Sequence, residues 1–160
     1  MIEPNVKDIF LRKSILSLNK DLNILQMNGL EFEQQAYNKI ASVQVVEIFD
    51  DEDRTKVLHH DCFYRLQCGI RLVKSQNDSD TEPSVYFEIQ AEYDIVFGAT
   101  GPVEIEELES FSSSDVISIA AWPYWKEHVA SLCSKAGMNA LAVQPPNPNE
   151  PIKITGKRQL

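Results

Sequence analysis

Two stretches in the middle of the chain alternate between apolar and polar residues. In VYFEIQAEYDIVF, residues 85–97, every odd-numbered position is apolar and most even-numbered ones are polar or acidic. In FYRLQCGIRLV, residues 63–73, the even-numbered positions are apolar and include Tyr64 and Leu72. A period of two is typical of a strand with one buried face. The polar stretch between them predicts a loop, so the two strands form an antiparallel hairpin with arginines facing acidic residues on the solvent side.

Two further segments have strand character. ASVQVVEIFDD, residues 41–51, is the third strand candidate, and VKDIFLRKSILSLN, residues 6–19, is the fourth. The latter carries apolar residues on both faces, which favours an edge strand whose second face is covered by another subunit or a loop. Residues 20–41 are interpreted as a long connection that is too apolar to be an ordinary solvent-exposed loop.

A helix follows near the C-terminal end, in AAWPYWKEHVASLCSKAGM, residues 120–138. Pro123 suits a first helical turn, because the backbone donors there have no partner inside the helix. Gly137 is suited to the left-handed residue that ends a helix. Between them one helical stripe is apolar; it consists of Trp125, Val129, Leu132, Cys133 and Ala136.

This order of elements predicts an α+β fold, with a four-stranded antiparallel sheet packed on one long C-terminal helix. A chain of 160 residues fits one domain. We assign residues 1–146 to that domain and residues 147–160 to a proline-rich tail, which is expected to be flexible.

Charge and cysteine content narrow the classes of function. The formal net charge of −9 disfavours nucleic acid or an anionic membrane as partner, since both repel an acidic surface. No apolar run reaches the ~20 residues of a membrane span, and the first residues lack the layout of a signal peptide. Three cysteines without a close CxxC pair suit a reducing compartment. A cytoplasmic protein is expected.

The sequence offers little catalytic chemistry. The stretch HHDC, residues 59–62, would need distant ligands to hold a metal, because adjacent histidines in an extended segment point to opposite sides. His128 and Cys133 fall on different helical faces, and Cys133 belongs to the apolar stripe. No phosphate-binding glycine motif is present. We therefore expect no enzyme, no cofactor and no metal.

With these elements in place, the C-terminal half resembles the SecB protein-export chaperone family. In FSSSDVISIAAWPYWKEHVASLCSKAGMNALAVQPPNP, residues 111–148, an aromatic residue, proline and tyrosine are followed by a helix that ends on glycine and then by a Leu-x-Val-x-Pro stretch. The hairpin before it resembles the family's third and fourth strands, and IFLRKSILSL resembles its first. The resemblance spans roughly residues 6 to 148.

The resemblance implies a homotetramer, a dimer of dimers with the long helices between dimers. It also implies an ATP-independent holdase that binds unfolded polypeptide in apolar grooves, for protein export. Three groups of residues are assigned on this basis. Client binding is assigned to Met27, Leu30, Phe32 and Tyr37, although these residues can equally cap the sheet's own core. The oligomer interface is assigned to Trp122, Trp125, Val129 and Leu132, and docking on the translocase ATPase to the acidic face with Glu88 and Glu92.

Two departures from the family keep alternatives open. The first strand reads RKSILSLNK where the export chaperones have acidic residues, and the family's second helix is missing after Asn147. A SecB-like module dedicated to one partner, such as an antitoxin, is therefore the main alternative. A third, less favoured hypothesis is a metal-dependent enzyme built around His59, His60 and Cys62.

Overall fold

The structure is a computed structural model that describes residues 1–21, 23, 31–74, 84–146 and 157–159. Its regular elements are β1 (Ile2–Leu18), β2 (Glu31–Phe49), β3 (Val57–Lys74), β4 (Val85–Ala99), α1 (Ile105–Ser112), α2 (Val116–Lys135) and the short β5 (Lys157–Gln159). The strands form one antiparallel sheet in the order β1-β4-β3-β2-β5. The predicted α+β class and the four-stranded antiparallel sheet are confirmed, with β5 as a short addition.

The hairpin of β3 and β4 forms the centre of the sheet, as its alternation predicts. Leu66 lies opposite Tyr93 and Cys68 opposite Ala91, so the apolar positions of both strands share one face. α2 covers this face. The fully buried side chains between the sheet and α2 include Tyr64, Leu66, Phe87, Ile89, Ile95 and Phe97 from the strands and Ile117, Val129 and Cys133 from the helix. We call this the helix side of the sheet and the opposite face the outer face.

The helical region differs from the prediction. It contains two helices, and α2 begins at Val116 rather than at Pro123. The apolar stripe extends upstream through Ala121 and Ile117, which continue the four-residue spacing of the buried side chains, so packing on the sheet extends the helix past the proline. Because Pro123 has no N–H, the Ile119 carbonyl lacks its usual helical donor.

The end of α2 is confirmed in detail. Gly137 has a φ of 74°, in the left-handed region that favours glycine. The Met138 N–H donates to the Cys133 carbonyl at 2.9 Å, and the Gly137 N–H donates to the Ser134 carbonyl at 3.0 Å. These two bonds satisfy carbonyls that the last helical turn would otherwise leave without partners.

β2 begins ten residues earlier than predicted, at Glu31 rather than Ala41, so part of the expected connection is strand. The alternation is hidden there because Gln34 and Asn38 occupy positions on the helix side, opposite the apolar Leu72 and Cys68. An irregularity between Ile40 and Ser42 also interrupts the register. Polar residues are tolerated at these positions because α2 does not cover them, as described below.

β1 lies at one edge of the sheet, as its two-faced apolar pattern predicts. It pairs with β4 on one side, and no described strand pairs with its other side. Several of its apolar side chains are exposed: Val6, Phe10, Leu11, Leu16 and Leu18. This combination is unusual for an edge that stays in water.

The opposite edge belongs to β2, and part of the predicted tail lies there. Lys157–Gln159 of that tail forms β5, which pairs antiparallel with the first three residues of β2. Neither helix in the described part of the chain is long and apolar enough to cross a membrane.

Candidate functional site

A shallow, open groove lies on the helix side of the sheet, beside α2 and over β2 and β3. Its third wall is the segment that follows α2, which we call the strap (Leu141–Pro146). The groove is lined by Ala36, Tyr37, Asn38, Leu66, Cys68, Ile70, Ser118, Ala121, Trp122, Trp125, Ala142, Val143, Gln144 and Pro146. None of these residues carries a formal charge, so the groove suits an apolar or neutral ligand.

The strap packs on the hydrophobic core and is hydrogen-bonded to β2. Leu141 is 7% exposed and belongs to the hydrophobic core. The buried Gln34 amide donates to the Ala142 carbonyl at 2.8 Å. This bond explains why a glutamine occupies a helix-side position of β2, since its polar group is satisfied by the strap backbone.

Trp122 carries the most distinctive polar group of the groove. Its ring is partly buried, and Lys126 lies 5.1 Å from the ring centroid, in the range of a cation–π contact. The indole Nε1 is buried and has no hydrogen-bond partner in the described part of the chain. A buried N–H without an acceptor is energetically costly, so a bound carbonyl oxygen would stabilise it.

The thiol in the groove is not activated. Cys68 is 3% exposed, and burial raises its pKa to about 12. The thiol therefore stays protonated at neutral pH and acts as a small apolar wall. The walls of the groove therefore offer apolar surface for packing.

The outer face of the sheet carries a second arrangement, centred on Tyr37. The residue opposite it on β3 is Gly69, and a Cβ at Gly69 would lie within 2.1–2.8 Å of three Tyr37 ring atoms. The ring therefore lies flat across the glycine. The Tyr37 side chain is 42% exposed. Tyr37 belongs to the β2 wall of the groove, but its ring lies on the outer face, away from the groove.

Glu88 and Glu92 flank this tyrosine. Partial burial and the charges of both glutamates raise the pKa of Tyr37. Glu92 accepts a hydrogen bond from the Gln67 amide at 2.8 Å, and Glu88 lies opposite Arg71. The structure thus brings together one residue predicted to bind clients and two predicted to dock a partner.

The arginines on the outer face partly follow the expected pairing with acidic residues. Arg65 forms two bonds to the Asp94 carboxylate, at 2.8 and 3.0 Å, and Arg12 of β1 lies 3.3 Å from the same group. Arg71 instead donates to the Gln35 side chain at 2.8 Å. Asp94 is therefore engaged, whereas Glu88 and Glu92 keep more of their charge available to a partner.

The residues predicted at an oligomer interface divide into two pairs. Val129 is fully buried and Trp125 is 7% exposed within the single chain, where both pack on the sheet. This packing leaves the two side chains almost no surface outside the single chain, and their place in an interface stays a prediction. Trp122 and Leu132 are partly buried and retain some surface.

The residues predicted to bind clients also separate. Met27 and Leu30 lie outside the described residues. Phe32 is 2% exposed and packs edge-on against Tyr86, at 5.3 Å between ring centroids. Phe32 therefore belongs to the core, which agrees with the alternative that these residues cap the sheet's own core. Of the two described residues, Tyr37 is the exposed one.

The histidine and cysteine cluster is dispersed. His59 lies on the outer face, with its Nε2 3.2 Å from the Lys7 Nζ. His60 points to the helix side and is 8% exposed, and Cys62 is fully buried on that same side. Among the described residues, no three His, Cys, Asp or Glu side chains are grouped as metal ligands.

Sequence reasoning missed most of the groove wall. The strap residues Val143 and Pro146 and the β2 residues Ala36 and Asn38 lie far apart in sequence and have no shared pattern. One signal was available in the Leu-x-Val-x-Pro stretch, whose apolar spacing indicates a segment that packs on something. Trp122 was singled out, but for an interface rather than for the groove.

No family model and no curated protein matches this sequence. Among solved structures, the chain is similar to the Mycobacterium tuberculosis Rv1957 SecB-like chaperone, determined in complex with a ChAD peptide from the Rv1956 HigA1 antitoxin. The similarity covers 88% of each chain, with a TM-score of 0.53 and 15% sequence identity. This chain has the SecB-like fold. The predicted SecB-like architecture is therefore confirmed, with two helices where one was expected.

Proposed function

We propose that this SecB-like protein is an ATP-independent chaperone that holds non-native polypeptide segments in the groove between α2, the sheet and the strap. The observation that carries the proposal is an uncharged groove lined by Trp122, whose buried indole N–H has no acceptor among the described residues. An extended peptide offers both apolar side chains and backbone carbonyls. Binding the unfolded state and not the native one opposes aggregation by mass action, without a catalytic group.

The first experiment is light scattering of a chemically unfolded test protein that aggregates on dilution, with and without this chain and without ATP. We expect suppression at near-stoichiometric amounts, for several unrelated test proteins. Absence of suppression for all of them would contradict a general chaperone.

Substitutions in α2 test whether the suppression of aggregation depends on the groove. Trp122→Ala should reduce suppression and weaken binding of an unfolded polypeptide by roughly 10-fold or more, because one aromatic wall and its donor are lost. Tyr124→Ala is the matched control, since Tyr124 lies on the same helix, is 52% exposed and does not line the groove. Equal losses in both variants would place binding elsewhere.

The second candidate is a module dedicated to one partner. Its support is the fold of the Rv1957 chaperone, whose solved complex contains an antitoxin peptide. A dedicated module should bind one protein tightly and leave unrelated unfolded proteins unaffected. Co-purification from the native host, followed by a binding assay with each protein recovered, separates the two candidates.

Two further properties belong to the proposal. We expect a homotetramer, whose contacts include the exposed apolar residues of β1 in addition to α2. We also expect a cytoplasmic location and a role in export or in control of an antitoxin. The outer face with Tyr37, Glu88 and Glu92 is the candidate docking surface for a further partner such as the translocase ATPase, which direct binding measurements with that motor would test.

A further inference from the structure

The chain's own C-terminal residues pair with the edge of β2. In this short ladder Lys157 lies opposite Glu33, Arg158 opposite Phe32 and Gln159 opposite Glu31. The contact is antiparallel main-chain pairing between segments more than 120 residues apart.

β2 is much longer than the segment that covers its edge. It spans Glu31–Phe49, and β5 pairs with its first three residues. In the described part of the chain no strand pairs with this edge from Gln34 onward. A strand edge with free N–H and C=O groups is a template for another extended segment.

This edge adjoins the groove. The β2 residues 36–38 line the groove, three positions beyond the residues that pair with β5. The strap, bonded to Gln34, lies between the two sites along the same strand. An extended polypeptide seated in the groove and continuing along β2 would reach the positions that β5 occupies.

We propose that β5 is an autoinhibitory strand: it occupies a strand-addition site at Glu31–Glu33 of β2, and an extended client segment must displace it to bind along the whole edge. The inference rests on the proposed function. Only ten residues separate Pro146 from Lys157, so β5 competes as a tethered ligand at high effective concentration. The apparent affinity for a client is the intrinsic affinity multiplied by the fraction of chains in which the site is free, so a smaller free fraction means weaker binding.

The test uses the full-length chain with Lys157→Pro and Arg158→Pro combined. Consecutive amides of a strand point to opposite edges, so replacing both removes at least one amide that faces β2. The matched control is Lys157→Arg with Arg158→Lys, which keeps charge and amides. Hydrogen exchange at residues 31–33 reports whether the strand has been released, and the control should retain protection.

Binding is measured with reduced, carboxamidomethylated lysozyme, a permanently unfolded basic polypeptide. We expect the double-proline variant to bind roughly 3- to 10-fold more tightly than the wild type and the control. A synthetic peptide of residues 147–160, added in trans, should bind the proline variant and compete with the unfolded lysozyme.

The outcomes separate the two proposals. If exchange shows the strand released but lysozyme affinity stays unchanged, β5 is a structural strand and the autoinhibitory proposal is overturned while the chaperone remains. Failure of the 147–160 peptide to bind the proline variant would likewise overturn it. If no variant binds the unfolded lysozyme, both the proposed function and this inference are overturned.

Discussion

At the scale of single residues, the contact between Tyr37 and Gly69 shows how one side chain depends on the absence of another. The Tyr37 ring occupies the space where a Cβ at residue 69 would lie. Glycine weakens a strand, since it packs no side chain and loses more backbone entropy on folding. The ring covers the glycine backbone and so offsets part of that cost.

This contact predicts a non-additive pair of substitutions. Gly69→Ala should lower the free energy of unfolding by about 1 kcal/mol, because the ring must swing away from the sheet. In a Tyr37→Ala background the same change should be neutral or stabilising, since alanine then fits a strand better than glycine does. Urea denaturation of the four proteins measures the coupling, and additive effects would contradict the packing described.

His128 is the residue whose titration should affect stability. Its Nε2 lies 2.8 Å from the Ser14 Oγ, and its ring packs against Tyr93 and Trp125. Burial lowers the pKa of His128 from the ordinary 6.5, with a smaller contribution from the positive charge of Lys135. The folded chain therefore favours the neutral ring.

The sign of the pH dependence follows from linkage. Below about pH 6.5 the unfolded chain binds a proton at His128 that the folded chain does not, so the free energy of unfolding falls as the pH falls, until the folded pKa is reached. We expect wild type to lose more stability than His128→Gln between pH 7.5 and pH 5.5. Urea denaturation of both proteins at the two pH values measures this difference, and equal losses would contradict the prediction.

At the scale of elements, the strap decides the shape of the groove. It has no regular secondary structure, yet Leu141 is buried and Gln34 fixes its backbone at Ala142. A segment outside the helices and the sheet is the part of the groove most easily displaced. The Gln34 side chain links the backbone of the strap to β2.

Removing that side chain should loosen the strap. Gln34→Ala leaves the Ala142 carbonyl without its donor and should lower the free energy of unfolding by roughly 1–3 kcal/mol. Hydrogen exchange at residues 141–144 should rise more than elsewhere. Gln44→Ala, an exposed position on the same strand, is the control, and similar exchange in both variants would argue against a clamping role for Gln34.

At the scale of the whole molecule, the two edges of the sheet differ. The β2 edge is partly covered by β5, whereas no described strand pairs with the outer edge of β1, which has exposed apolar side chains on both faces. Burial of apolar surface is the main driving force of association, so β1 is the stronger candidate for contact between copies. The helix-mediated interface implied by the resemblance is the second contact predicted for the homotetramer.

Three variants distinguish these interfaces. Leu11→Lys should weaken association without lowering the unfolding free energy of the protomer, because Leu11 is 50% exposed. Ile119→Lys places the same charge on α2, where Ile119 is 58% exposed, and Leu132→Asp tests the partly buried side of that helix. Light scattering coupled to gel filtration reports the mass of each. A monomeric wild type would contradict both interfaces.

The sequence by itself determined the elements whose side chains alternate against one continuous core. The β3–β4 hairpin, the edge position of β1 and the end of α2 at Gly137 each follow from local pattern, because burial on one face or a left-handed residue leaves a local signature. The SecB-like fold was implied by the resemblance to that family, which the Trp-Pro-Tyr helix and the order of these elements carry.

Only the tertiary structure decided where that pattern breaks down. Gln34 and Asn38 hide the start of β2 because a strap and a groove, rather than a helix, lie over them. Pro123 marked the wrong helix start, since packing of Ile117 and Ala121 on the sheet outweighs the missing hydrogen bond. The groove, the Tyr37 cluster and β5 join residues distant in sequence, and such contacts leave no periodic signal in a single chain.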